Sequence, residues 1–206
     1  MIEPMTIRST GARVAAFAWL TFAVLNLVDL MFGITGDPTY SLTVLTMGMV
    51  LLLGCGIAYT VGLRPAIIGD DEAVTIRNPL RETRAPWSAV RRIEGTNALT
   101  VRFTGPDGAE LETRAWVHQT SPRAQAKAEA RARKEQNRGP GVDLRGRTPA
   151  GFAAEQLNEI RERRRPKEKD AEKSARGAVT WSVPAVVSLV VPLVAVIVIP
   201  IVEAVR

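Results

Sequence analysis

Charged residues are confined almost entirely to the middle of this chain. Of the 27 Lys and Arg residues, 24 lie between Arg64 and Arg176, and so do 17 of the 21 acidic residues. The stretch from Pro38 to Leu63 contains no charged residue, and neither does the stretch from Gly177 to Val202. A single water-soluble globule does not separate its charges in this way, so the sequence predicts membrane segments that flank a polar region.

Three stretches are long enough to cross a bilayer, which requires roughly 20 apolar residues. They cover residues 14–36, 38–63 and 177–202, and the first contains one charge, Asp29. A buried core helix is the alternative for each of them, but two uncharged runs of this length argue against it. The first stretch could also be a signal peptide. It is longer than a usual signal core and lacks a clear cleavage site, so we interpret it as an uncleaved span.

The basic residues predict the orientation, because cytoplasmic loops are enriched in Lys and Arg. Arg8 and Arg13 precede the first span, and Arg64 directly follows the second. The short loop between these two spans carries no basic residue. We therefore predict a multi-pass protein of the cell (inner) membrane. Its N-terminal segment 1–13 and residues 64–176 are cytoplasmic, and its C-terminus lies outside.

Two features within the spans suggest specific roles. Asp29 is either part of a proton or ion relay or a carboxylate that reaches the outer headgroups, with Asn26 as a hydrogen-bond partner. Gly54, Ala58 and Gly62 form a row of small residues that lets another helix approach closely. That helix could be the first span, the third span or a second copy of the chain, so a homo-oligomer is possible. Three prolines, Pro184, Pro192 and Pro200, invite bends in the third span.

Residues 64–120 are predicted to form a small antiparallel sheet of about five or six strands. Apolar and polar residues alternate over residues 73–78, 99–103 and 111–117, as in strands with one solvated face. Gly105-Pro106-Asp107-Gly108 predicts a hairpin turn between the last two. A further strand is expected from Trp87 to Ile93. The predicted structural core consists of Trp87, Val90, Ile93, Leu99, Val101 and Phe103.

Residues 121–176 are predicted to be a charged helical region and tether. The first helix begins near Ser121-Pro122 and ends before Gly139. Thr148-Pro149 opens the second helix, which places Ala153, Leu157 and Ile160 on one stripe. The predicted fold class is therefore an α+β integral membrane protein with three transmembrane helices, a small antiparallel β-domain and two cytoplasmic helices.

The segment VTIRNPLRETRAPWSAVRRIE, followed by LTVRF, GPDG and LETRAWV, resembles the bacterial pleckstrin-homology-like (PH-like) domain of actinobacterial membrane proteins. It is similar to the type found in the low-molecular-weight protein antigen group. Two membrane helices before such a domain also fit that group. The resemblance implies a fold rather than a chemistry. Eukaryotic relatives often bind inositol phosphates through basic residues in the first hairpin, but the corresponding turn here, residues 69–72, is acidic. Phosphoinositide binding is therefore not expected.

No catalytic or metal-binding motif is found in the sequence. The chain has one Cys, Cys55, and one His, His118, and it contains neither a phosphate-binding loop nor a nucleophile motif. We expect no enzymatic activity, no cofactor and no metal. The basic region contains many acids and few aromatic residues, so nucleic-acid binding is not expected either.

We therefore expect a noncatalytic scaffold or adaptor at the membrane with an unknown protein partner. The alternative is an accessory subunit or regulator of a membrane transport system, with Asp29 as its functional group. Contact with anionic lipid is also expected, because basic residues cluster directly before the third span. The candidate lipid contacts are Arg161, Arg163, Arg164, Arg165, Lys167, Lys169, Lys173 and Arg176.

Overall fold

The computed structural model describes residues 5–36, 41–117, 148–164 and 175–205. It divides into two compact units. The helical unit comprises Ser9–Arg64 and Trp181–Arg206, and the sheet unit comprises Met1–Arg8 and Pro65–Thr180. The helices are α1 (Thr10–Phe32), α2 (Leu42–Ile57), α3 (Pro149–Arg164) and α4 (Val183–Val205). The strands are β1 (Met5–Ile7), β2 (Ala66–Gly69), β3 (Ala73–Arg77), β4 (Arg81–Pro86), β5 (Val90–Gly95), β6 (Leu99–Thr104), β7 (Glu110–Arg114) and β8 (Ala178–Trp181).

The helical unit contains three helices that are long and apolar enough to cross a membrane. They are α1, α4 and the continuous helix Leu42–Leu63, in which α2 runs into a π-helical segment, Ala58–Leu63. Their large apolar side chains point outward, as in Phe32 and Val191, which are 69% and 60% exposed. Such a surface is expected for helices that face lipid, and it agrees with the three predicted spans.

The helix boundaries differ from the predicted ones for local reasons. Helix α1 begins at Thr10 instead of residue 14, because the Ser9 side chain accepts a hydrogen bond from the Ala12 amide and so caps the helix. Helix α4 begins at Val183 instead of residue 177, because residues Ala178–Trp181 form a strand. Pro184 therefore lies in the first turn of α4, where it removes no intrahelical hydrogen bond. Pro192 and Pro200 lie inside the helix.

The sheet unit contains two antiparallel sheets instead of the single predicted one. The order of the five-stranded sheet is β1-β2-β3-β4-β8, and that of the three-stranded sheet is β5-β6-β7. Strands β2 to β7 supply the six strands expected within residues 64–120. The two others come from distant segments, since β1 pairs with β2 (Met5 opposite Gly69) and β8 neighbours β4. The N-terminal segment therefore contributes to the sheet, and is not a separate tail.

The predicted strand from Trp87 to Ile93 is wrong in its first half. Residues 87–89 form a turn, and β5 begins at Val90. In this turn the Ala89 amide donates to the Pro86 carbonyl at 2.9 Å, and the Val90 amide donates to Trp87 at 3.3 Å. The turn carries the chain from β4 in one sheet to β5 in the other.

The core lies between the two sheets and helix α3. All six predicted core residues lie in it, each no more than 6% exposed. Helix α3 adds Ala153, Ala154 and Leu157 to the same cluster. A Cβ on Gly95 would lie 2.1 Å from the Ala150 carbonyl oxygen, so only glycine lets the start of α3 approach β5 this closely. The first predicted cytoplasmic helix lies outside the described residues.

Candidate functional site

The turn between β2 and β3 is stabilised by its own acidic residues. Asp70 Oδ1 accepts hydrogen bonds from the amides of Glu72 at 2.8 Å and Ala73 at 2.7 Å. Arg84 on β4 pairs with Glu72 at 3.0 Å and lies 3.9 Å from Asp70 Oδ2. The carboxylates thus hold the turn in place and attract a cation from the neighbouring strand. This arrangement is unfavourable for a phosphate group.

Trp87 links this turn to the core. Its side chain is 2% exposed, and its indole Nε1 donates to the Asp70 carbonyl at 2.9 Å. Its backbone amide donates to the Glu72 carbonyl at 3.1 Å. A buried Trp needs a partner for its N–H group, and the turn backbone provides it. Trp87 is therefore both part of the core and a fixed point for the first hairpin.

Helix α3 runs antiparallel to β5 along the outer edge of that strand. Arg161 donates to the Val90 carbonyl at 2.7 Å, and Asn158 donates to the Ile93 carbonyl at 3.4 Å. About two turns further towards the start of α3, Ala150 and Gly151 lie against Gly95. The helix thereby satisfies carbonyl groups of an edge strand that would otherwise be available for pairing with another chain.

An open groove of about 720 Å³ lies beside this contact, between α3 and the second half of β5. We call it the α3–β5 groove. Residues 92–96 of β5 and the following turn form one wall, and Gly151, Ala154, Glu155, Asn158, Glu159 and Glu162 of α3 form the other. The Ile93 carbonyl faces away from β6, since Asn158 reaches it from outside the sheet. By the alternation of an antiparallel ladder, the amide of Ile93 faces the same way.

The α3–β5 groove is acidic. It contains four carboxylates, those of Glu94, Glu155, Glu159 and Glu162, and one guanidinium, that of Arg92. Glu94 pairs with Arg92 at 2.5 Å, and Glu159 pairs with Arg163. Within the described part of the chain, no ion-pair partner is found for Glu155 or Glu162. Two exposed carboxylates on one helix face are therefore available to a positively charged ligand.

Part of the sheet unit matches a known protein family. Residues 64–135 match the family model of the bacterial PH domain. The match supports the predicted PH-like domain and covers strands β2 to β7. It does not reach α3, β1 or β8, so one wall of the α3–β5 groove lies outside the matched region. No curated protein and no solved structure matches the chain.

Three of the predicted lipid-contact residues have side chains that the structure describes. These three side chains bind other groups of the sheet unit. Arg161 donates to Val90, Arg163 pairs with Glu159, and Arg176 donates to the Pro106 carbonyl. Of Arg164 the structure describes only the backbone, which ends α3. Arg165, Lys167, Lys169 and Lys173 lie outside the described residues. The structure thus gives three of the basic side chains roles within the domain that the sequence did not indicate.

The predicted row of small residues on α2 faces α1. A Cβ on Gly54 would lie 2.3 Å from the Trp19 ring, and one on Gly62 would lie 2.6 Å from Ala16 Cβ. Ala58, between them, is the first residue of the π-helical segment. The sequence analysis missed Gly56, at which a Cβ would lie 2.2 Å from the Ser188 carbonyl oxygen of α4. Helix α2 therefore packs against both other spans through glycine.

Asp29 lies at the end of α1 and binds the loop that follows. Its carboxylate accepts hydrogen bonds from the Thr35 amide and from the Thr35 hydroxyl, both at 2.8 Å. The predicted partner Asn26 is wrong, because its side chain donates to the Phe22 carbonyl one turn back. Asn26 was the expected partner because it lies one helical turn before Asp29. Instead, Gly33 adopts the αL conformation and turns the chain back, so that Thr35 reaches Asp29.

The remaining reactive side chains form no cluster in the described part of the chain. Among these residues, no group of three or more His, Cys, Asp or Glu is placed to hold a metal ion. Cys55 lies in α2, and His118 lies outside the described residues. The groove carboxylates were missed by the sequence analysis, although Glu155, Glu159 and Glu162 recur at helical spacing. That acidic stripe is the signal that could have indicated the groove.

Proposed function

We propose that the protein is a noncatalytic membrane adaptor whose PH-like domain binds a protein partner. The observation that carries this proposal is the α3–β5 groove, which combines a concave surface with two exposed carboxylates that have no ion-pair partner in the described part of the chain. The match to a bacterial PH domain supports a binding module. The three apolar helices support attachment to a membrane. The basic residues that flank the spans support a cytoplasmic location of the domain.

The chemistry of the groove favours a segment that carries Lys or Arg. Glu155 and Glu162 lie two helical turns apart, which is about 10 Å along α3. An extended peptide of three or four residues covers this distance. Its basic side chains would pair with the two carboxylates, and its backbone would lie along the groove wall formed by residues 92–96. A basic segment of an unidentified membrane or cytoplasmic protein is therefore the proposed ligand class.

In-cell photo-crosslinking tests this proposal. A photoreactive amino acid replaces Thr96, an exposed residue of the groove, in the full-length chain. A control chain carries it at Glu110, an exposed residue on β7 outside the groove. We expect a discrete adduct with another protein at position 96 and none at 110. A second chain adds Glu159→Lys and Glu162→Lys and should lose the adduct. A matched chain with Asp107→Lys and Glu110→Lys should keep it.

The proposal is overturned if positions 96 and 110 give the same adducts. It is also overturned if the adduct at 96 persists after reversal of the groove charges. A homo-oligomer would appear as an adduct with the mass of two chains. That result would replace the separate partner by a second copy of this protein.

Contact of the tether with anionic lipid remains a further part of the proposal. It concerns the basic residues before the third span that lie outside the described residues. Replacement of Lys167, Lys169 and Lys173 by Gln in the full-length chain should reduce enrichment of anionic lipid around the purified protein. Added salt should have a similar effect, because exposed charges are screened. Equal enrichment in both chains would leave these residues with a topological role only.

The alternative, a regulator of a transport system, is not favoured by the surroundings of Asp29. Two hydrogen bonds from Thr35 give its carboxylate a local role at a helix end. An Asp29→Asn chain that loses its cellular function while it retains its stability would revive this alternative.

A further inference from the structure

The sheet unit is joined to the three spans by very short connections. Two residues, Arg8 and Ser9, separate β1 from α1, and Arg64 and Pro65 separate the second span from β2. Ser182 alone separates β8 from α4. A connection of two residues extends over at most about 7 Å. Each of these strands therefore has one end that is followed or preceded, within one or two residues, by a candidate span.

The strand register places these three ends on the same side of the five-stranded sheet. Ile7, the last residue of β1, pairs with Ile67 near the start of β2. Ala66, the first residue of β2, pairs with Arg77 at the end of β3. On β8, the Thr180 hydroxyl donates to the carbonyl of Glu82, which itself pairs with Arg77. We call this side of the sheet unit the linked end.

A tryptophan is held at the linked end by a side-chain clasp. Asn78, which follows β3, donates from Nδ2 to the Arg114 carbonyl at 2.9 Å. Its Oδ1 accepts from the Trp116 amide at 2.8 Å. The clasp joins the two sheets and fixes the backbone of Trp116 beside the β3–β4 turn. The Trp116 side chain nevertheless is 47% exposed, in contrast to Trp87 at 2%.

The surroundings of Trp116 combine apolar and basic groups. Pro79 and Leu80 form the β3–β4 turn and are half-buried, and the exposed residues Arg81 and Arg114 flank it. We call these five residues the Trp116 patch: Pro79, Leu80, Arg81, Arg114 and Trp116. Tryptophan is enriched at the membrane–water interface, where its ring lies among the headgroups. Arginine in the same layer binds phosphate oxygens.

We propose that the Trp116 patch is a contact site for the phospholipid headgroup layer. The strands of the linked end continue into the spans after only one or two residues. An exposed Trp, with exposed Arg residues in the adjacent turn and two positions before it, provides the side chains that this layer binds. The patch thus fixes the orientation of the PH-like domain on the membrane. This inference is independent of the α3–β5 groove, which concerns a protein ligand.

Depth-dependent fluorescence quenching tests the contact in the full-length protein. The chain has one cysteine, so Cys55→Ala gives a background in which single cysteines can be labelled. A fluorophore is attached at Trp116→Cys, and in a second chain at Leu80→Cys, which keeps Trp116. The control label is attached at Asp107→Cys on the β6–β7 turn. Strand β6 has six residues, so this turn lies about 20 Å from the linked end.

Each labelled protein is reconstituted alone in nanodiscs that contain headgroup-nitroxide lipids. We expect a loss of emission at positions 116 and 80 and unchanged emission at 107. Unchanged emission at both 116 and 80 overturns the proposal, and so does equal quenching at all three positions. No other protein is present, so the failure of this test would not affect the adaptor function. Likewise, the failure of crosslinking at position 96 would not affect this contact.

Discussion

At the scale of single residues, Trp87 has the largest expected effect on stability. Its side chain fills the core and its indole N–H binds the Asp70 carbonyl, so Trp87→Ala removes packing and a hydrogen bond together. Replacement of a buried aromatic residue by Ala costs about 3–5 kcal/mol, a large part of the stability of a small domain. Thermal unfolding of the purified chain should show a clearly lower midpoint.

The matched control for this substitution is Trp116→Ala, which removes an exposed ring. It should leave the midpoint in detergent almost unchanged. If both substitutions lower the midpoint equally, burial does not distinguish the two tryptophans and the described core is incorrect.

A buried pair of hydroxyl groups gives a second prediction at this scale. The hydroxyls of Thr83 on β4 and Thr113 on β7 lie 3.0 Å apart and join the two sheets. Thr83→Val alone leaves a buried hydroxyl without a partner, which costs about 1–3 kcal/mol. Adding Thr113→Val removes that unpaired group, so the double variant should recover much of the loss. Additive losses in denaturant unfolding would show that the two hydroxyls do not bind each other.

At the scale of elements, glycine on α2 determines helix packing. Gly56→Leu would place a side chain against the backbone of Ser188 on α4. Even a Cβ at this position would lie 2.2 Å from the Ser188 carbonyl oxygen, which is too close. We expect the helical unit to unfold at a lower temperature in detergent. Gly48→Ala on the same helix is the control, since its Cβ would meet only Leu27 at 3.8 Å. Equal stability of the two variants would contradict the described packing of α2 on α4.

Local signals in the sequence predicted most elements, and distant pairings explain what was missed. Uncharged runs predicted the spans, and Thr148-Pro149 predicted the start of α3, where the Thr148 hydroxyl accepts from the Gly151 amide. Strands β1 and β8 have only three and four residues and form by pairing with segments far along the chain. Arg161 resembled a tether residue until the fold placed it on Val90, 71 positions away. Such contacts have no local pattern.

At the scale of the whole molecule, segments before and after the matched region complete the domain. The matched region supplies β2 to β7, whereas β1 precedes it and α3 and β8 follow it. Deletion of residues 1–8 removes β1 and exposes the edge of β2, so the deleted chain should aggregate or be degraded faster than the full chain. Pulse-chase measurement of its half-life tests this prediction. An unchanged half-life would show that β1 is dispensable.

We propose that three spans carry a PH-like domain on the cytoplasmic side of the membrane. Two fusions test this arrangement most directly: a reporter active only in the cytoplasm after Arg145, and a reporter active only outside after Arg206. We expect activity from both. The opposite result at Arg206 would be an inactive outside reporter and an active cytoplasmic reporter. It would show that the third segment does not span the membrane, and it would contradict the proposed arrangement of the protein.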